Sequence, residues 1–144
     1  MLVSKILETK EKIGVISVTP NSKVSDAAKL LSEKRIGTVV VSADGASLDG
    51  ILSERDIVRA LGANGSGCLQ DDVSSLMTQK ITTCAPTERS DDVLTKMTEG
   101  RFRHIPVMEN GTMIGLISIG DVVKARLAEL SMEKDALEGM IMGH

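Results

Sequence analysis

Two four-residue turns carry the side chains best suited to chemistry, Ser53-Glu54-Arg55-Asp56 and Ser118-Ile119-Gly120-Asp121. Each follows a glycine and two aliphatics (Gly50-Ile51-Leu52; Gly115-Leu116-Ile117), and each opens an apolar-patterned helix. Serine three residues ahead of a carboxylate is close to a capping box, which satisfies helix N–H groups and needs no ligand. The same residues also suit a nucleotide. A carboxylate offers acceptor oxygens to two vicinal ribose hydroxyls, and a helix N-terminus presents unpaired N–H groups and a favourable dipole to phosphate. For either copy alone the cap is a sufficient account; two copies at matched positions point to a ligand as well.

Other chemistries find little support. Cys68 and Cys84 are too few for a disulfide framework, and with His104 and His144 they make no metal-ligand spacing. No nucleophile–base–acid set is visible, so neither an enzyme nor a catalytic cofactor is expected. Gly62, Gly65 and Gly67 follow a helix rather than a strand and precede no Lys-Ser/Thr, so they read as a connector. A formal charge of −3 and a single aromatic, Phe102, argue against nucleic acid and anionic membranes. The N-terminus lacks a signal-peptide core and no run is long enough to span a bilayer, which implies a cytoplasmic setting. The methionines are most simply core filler.

The elements that must position these turns occur twice. At an offset of 66, SVTPNSKVSDAAKLL (from Ser17) lies on TCAPTERSDDVLTKM (from Thr83), and EKRIGTVVV lies on EGRFRHIPV. One residue is lost in the following turn, so the two Ser-x-x-Asp turns are 65 apart. The lead-ins correspond too, Val3–Leu7 with Val73–Met77. Each repeat predicts a short strand (14–18; 81–84) ending at Pro20 or Pro86. A helix follows, with Ser25 or Ser90 as N-cap and an apolar face of Ala27, Ala28 and Leu31 or Val93, Leu94 and Met97. Gly37 and Gly100 mark the helix ends. Two strands then flank Asp44-Gly45 or Asn110-Gly111, both hairpin signals, before the Ser-x-x-Asp helix.

The fold class is therefore α/β (α+β): two β-α-β-β-α repeats related by a pseudo-twofold axis, each too small to bury much surface alone. The boundaries are 1–64 with a lead-in helix, a 65–71 linker, 72–129, and a helical extension over 130–144. Val123, Leu127, Leu130, Leu137 and Ile141 form a stripe along that extension, suited to packing on the body or on a second copy.

This pattern resembles a tandem pair of cystathionine β-synthase (CBS) domains, the unit called a Bateman module. The resemblance rests on Ser17–Pro20 and Thr83–Pro86, on Arg35–Val40 and Arg101–Val107, and on the two Gly-to-Asp elements ending at Asp56 and Asp121. It covers roughly residues 1 to 130. It implies a regulatory module that binds an adenosine ligand (AMP, ADP, ATP, NAD(H) or S-adenosylmethionine), pairs as a homodimer and acts on an effector protein. A purely structural dimerisation module is the alternative. By the family's arrangement, Asp56 and Asp121 hold ribose hydroxyls. One cleft would combine Ser53, Arg55 and Asp56 with Thr83, Phe102, Arg103, His104 and Pro106. The other would combine Ser118 and Asp121 with Ser17, Ile36, Gly37, Thr38 and Val39. With Arg55, Arg103 and His104 together, the first cleft is the one expected to take the more phosphorylated ligand.

Overall fold

The structure is a computed structural model that describes residues 1–10 and 15–142; Gly14 of the first expected strand and His144 lie outside the described residues. It has a mixed α+β fold. The elements run α1 (Val3–Thr9), β1 (Ser17–Val18), α2 (Val24–Lys34), β2 (Thr38–Val41), β3 (Gly50–Ser53), α3 (Glu54–Asn64) and a 3-10 turn (Ser66–Gln70). After these come α4 (Val73–Leu76), α5 (Ser90–Gly100), β4 (His104–Glu109), β5 (Thr112–Ser118) and α6 (Ile119–Ile141).

The duplication is visible in the register. β1 pairs parallel with β2, placing Val18 against Val41, and β2 pairs antiparallel with β3, placing Thr38 against Ser53. In the second repeat the first strand is reduced to a parallel bridge between Cys84 and Val107, the positions matching Val18 and Val41. Its strand neighbour forms the β4–β5 hairpin, turned by Asn110 at φ 52° and Gly111 at φ 79°. Asp44-Gly45 does not make so tight a turn. The chain from Ser42 to Asp49 loops out, and Asp44 Oδ1 accepts from the Ala46 and Ser47 N–H groups.

The residues form two compact units, each with its own core. The repeats do not coincide with the units, because the lead-in helices are exchanged. In one unit α1 joins the second repeat: the Val3 N–H donates to Glu88 O (2.9 Å) and the Ser4 N–H to Pro86 O (3.0 Å). In the other α4 joins the first repeat: the Val73 N–H donates to Ser22 O (2.8 Å) and the Ser74 N–H to Pro20 O (3.0 Å). Val3 and Ile6 fill a core with Val93, Met97, Ile105, Val107 and Ile117; Val73 fills one with Val24, Ala27, Leu31, Val39 and Leu52. The sequence division into 1–64 and 72–129 follows the repeats, whereas the cores follow this exchange.

The helix ends differ from expectation in an instructive way. Ser25 and Ser90 do not cap; α2 and α5 begin after Lys23 and Arg89, and neither start has a side-chain cap. Lead-in backbone takes that role instead, since the Val24 N–H donates to Asp71 O (3.0 Å) and the Ser90 N–H to Met1 O (2.8 Å). Ser90 is buried and its hydroxyl donates to Glu129 (2.9 Å). At the C-termini the left-handed residue is not Gly37 or Gly100 but Arg35 (φ 53°) and Arg101 (φ 56°). The connector is not featureless either: its 3-10 turn buries Cys68 and packs Leu69 on the core. The expected extension is continuous with the second repeat's last helix, as α6 runs unbroken for 23 residues.

Candidate functional site

Both Ser-x-x-Asp turns fold as capping boxes. In the first, the Asp56 N–H donates to Ser53 Oγ (3.2 Å), while Asp56 Oδ2 accepts from the Ser53 N–H (2.9 Å) and hydroxyl (3.0 Å). In the second, the Asp121 N–H donates to Ser118 Oγ (3.1 Å) and Asp121 Oδ2 accepts from the Ser118 N–H (2.8 Å). One carboxylate oxygen is thus committed to the cap. Among the described residues no hydrogen bond reaches Oδ1 of either aspartate, which leaves it an acceptor for a ribose hydroxyl.

The glycine that opens each motif has a steric reason. A Cβ on Gly115 would stand 2.6 Å from Leu7 Cδ2, and one on Gly50 would stand 2.5 Å from Met77 Sδ. Leu7 and Met77 occupy matched positions in the two lead-ins. The glycine in each strand therefore admits a lead-in side chain, and three residues on the strand ends in the serine that caps the helix carrying the aspartate.

Each turn is joined to the strand entrance of its own repeat. The Glu54 N–H donates to Gly37 O (2.9 Å), and the Ile119 N–H donates to Arg103 O (2.8 Å). Arg103 and His104 therefore neighbour the Asp121 turn, and Gly37 and Thr38 neighbour the Asp56 turn. The sequence expectation groups Arg103 and His104 with Asp56, and Gly37 and Thr38 with Asp121, across the two units; these bonds within each unit leave that grouping as it stands. Sequence pattern did not fix which strand faces which helix, because both repeats offer chemically plausible partners.

The remaining candidates take varied positions. Ser17 sits half-buried in β1 opposite Val40, and Thr38 and Val39 are buried in β2. Ile36 packs on the first core and Phe102 on the second, while Arg55 is exposed on the first turn of α3. Thr83 is half-buried and its carbonyl accepts from Lys96 (3.3 Å). Pro106 is buried, and its carbonyl accepts from the Cys84 N–H (3.0 Å).

Lys10, just past α1, is a neighbour that sequence reading missed. Its Nζ lies 2.8 Å from Asp121 Oδ2 and donates to Leu116 O (2.7 Å). Lys10 and Lys80 sit at matched positions of the two lead-ins, so extending that alignment by three residues would have raised it. Burial works to raise the Asp121 pKa, but the Lys10 hydrogen bond, the Ser118 N–H and the Lys10 charge outweigh it, and the net shift is downward. His104 is pushed below its ordinary value by burial first, then by Lys10 and Arg103, against the opposing pull of Asp121. The Asp121 carboxylate thus lies against the Lys10 ammonium, with the Arg103–His104 strand entrance bonded to its turn.

Burial, assisted by Glu88 and opposed by Lys96, pushes the Cys84 thiol up to about 11, far from a reactive thiolate. Among the described residues no cluster of three or more His, Cys, Asp or Glu side chains is placed to hold a metal, and no helix is long and apolar enough to cross a membrane.

Comparison with known proteins agrees with this duplicated geometry. The family described as CBS domain matches residues 7–63 and again 73–128. The chain belongs to the CBS-domain family. It is 34% identical to the mitochondrial CBS domain-containing protein CBSX3 of Arabidopsis thaliana, over 98% of this chain and 72% of that one. Among solved structures it is similar to the CBS-domain containing protein ATU1752 from Agrobacterium tumefaciens, with 42% identity and a TM-score of 0.82 over 88% of this chain and 99% of the other. It is also similar to the CBS domain protein PAE2072 from Pyrobaculum aerophilum, solved in complex with AMP. There the identity is 25% and the TM-score 0.76, over 92% of this chain and 99% of that one. The CBS pair here thus has its two Ser-x-x-Asp caps as the repeated polar feature of the fold.

Proposed function

We propose that this CBS pair is a regulatory module that binds an adenosine nucleotide and passes its ligand state to a partner protein, without catalysing a reaction. AMP is the foremost ligand, with ADP, ATP, NAD(H) and S-adenosylmethionine as relatives of the same chemistry. The observation that carries the reading is the pair of capping boxes in which aspartate uses one oxygen for the cap and its other oxygen accepts no hydrogen bond among the described residues. The AMP complex of the Pyrobaculum protein supports the choice of ligand. A cytoplasmic setting belongs to this proposal, although the Arabidopsis relative is described as mitochondrial.

Homodimerisation is part of the same reading. Leu127, Leu130, Leu137 and Ile141 lie 47–82% exposed along α6, too much apolar surface on one helix for solvent alone. The same helix favours a second reading, a structural dimerisation module with no nucleotide. Calorimetric titration with AMP, ATP, NAD(H) and S-adenosylmethionine separates the two. A saturable heat that disappears in the Asp56→Ala, Asp121→Ala double variant supports the sensor. If no ligand gives a heat and the double variant loses only stability, the structural module stands instead.

A further inference from the structure

One face of α6 packs on its own unit and another does not. Val122 and Ala125 are buried in the core, and Arg126 and Glu129 lie half-buried along the same side, joined at 3.0 Å. The neighbouring stripe of Val123, Leu127, Leu130, Leu137 and Ile141 is 40–82% exposed. From Leu130 to Ile141 every side chain is exposed, so α6 continues past its own core as an unsupported arm. About three helical turns of that kind are marginal in water alone. The stripe recurs in alternating steps of four and three residues, with Lys134 filling the one polar step. That is the spacing of a seam between two helices rather than of a broad face laid on a globular core.

Charges beside the stripe decide how a second copy lies on it. In a parallel, in-register pair Lys134 would meet Lys134, and Glu133 of one copy would flank Glu138 of the other, both like-charge contacts. Turned antiparallel at the level of Met132, the stripe meets itself as Val123 on Ile141, Leu127 on Leu137 and Leu130 on the Lys134 stem. Lys124 of one copy then flanks Glu138 of the other, and the Lys134 ammonium of each copy lies between the two Glu133 carboxylates near the axis. All four side chains are exposed and available for this. Within one chain Lys134 lies 3.8 Å from Glu138, an exposed pair that costs little to exchange.

We infer that the outward stripe of α6 is an antiparallel helix seam between two copies of this chain, with Lys134 setting its register. This rests on the homodimer reading and goes beyond it by naming the face, the orientation and the register. A lysine at a single seam position costs stability but disfavours shifted registers and larger bundles. The arm past Leu130 gains cover from the partner's Val123 and Leu127 region, and it covers the same region of the partner in return.

Cysteine cross-linking of the full chain tests this, since Cys68 and Cys84 are buried and do not compete. Leu127→Cys together with Leu137→Cys in one chain is expected to give a covalent dimer under mild oxidation, and either substitution alone far less. Within one helix the two positions are about 15 Å apart, too far to bridge internally. A parallel seam would instead cross-link each single variant to itself. Sedimentation equilibrium of charge variants supplies a second measurement. Lys124→Glu and Glu138→Lys are each expected to weaken the dimer about three- to tenfold, and the two together to restore it to within about threefold. These positions are exposed, and circular dichroism melts establish that each variant is folded. Self-cross-linking of both single variants, or a tighter dimer from Glu138→Lys alone, overturns the antiparallel seam while leaving a dimer. A dimer that cross-links at none of these positions overturns the seam and leaves dimerisation to another face. A monomeric unaltered chain removes the homodimer reading and the seam together.

Discussion

Burial of His104, together with the charges of Lys10 past the end of α1 and of Arg103 just before β4, costs its charged form more than Asp121 on α6 returns. The folded pKa of His104 lies below the unfolded value of 6.5, so between the two the unfolded chain holds more protons. Stability therefore falls as pH drops from about 7 through that window. Asp121 behaves in the same direction at lower pH: its depressed pKa gives stability present above about 3.8 and lost as pH falls through the folded value. Urea midpoints measured from pH 8 to 5 are expected to decline, and His104→Gln should flatten that decline while leaving the steeper loss below pH 4. A His104→Gln variant with an unchanged slope would show that another group titrates there. The residue types in the two turns were legible in the sequence, and so was their role as caps. Lys10 was legible only by extending the lead-in alignment to Lys80, since its contact with Asp121 spans more than a hundred residues of chain.

At the scale of elements, the duplicated sequence specifies duplicated stops and starts. α2 and α5 both end on an arginine in the left-handed conformation, which costs a non-glycine residue about 1 kcal/mol. Arg35→Gly and Arg101→Gly are each expected to raise the urea midpoint, by a stability gain of about 0.5 kcal/mol after the entropy glycine adds to the unfolded chain. A fall of the midpoint would mean that the arginine side chain holds more than the helix end. Gly50→Ala and Gly115→Ala should do the reverse, costing about 1–3 kcal/mol as Met77 or Leu7 is forced aside. An unchanged thermal midpoint in both would refute the steric role of those glycines. Helix periodicity held because Ala27, Leu31, Val93 and Met97 do face the cores, whereas the expected strand over 81–84 is reduced to the Cys84–Val107 bridge. The caps escaped because backbone from the lead-ins replaces the serine side chains, a tertiary solution with no residue signature at Ser25 or Ser90.

For the whole molecule, duplication and exchange of lead-ins explain why a chain of this length has two cores rather than one. The repeat could be read from an offset, but the exchange could not, because Val3 and Val73 satisfy either core equally as sequence. The exposed stripe on α6 supports association of two copies. Sedimentation equilibrium is expected to show a dimer that Leu130→Glu with Leu137→Glu converts to monomer; a monomeric unaltered chain would remove that part of the account. The central claim, that the Ser-x-x-Asp turns hold an adenosine, is tested most directly by a crystal structure of the protein grown with AMP. The ribose hydroxyls are predicted within about 3 Å of the Asp121 carboxylate. AMP bound away from both aspartates, or both turns without it at saturating concentration, would contradict the account.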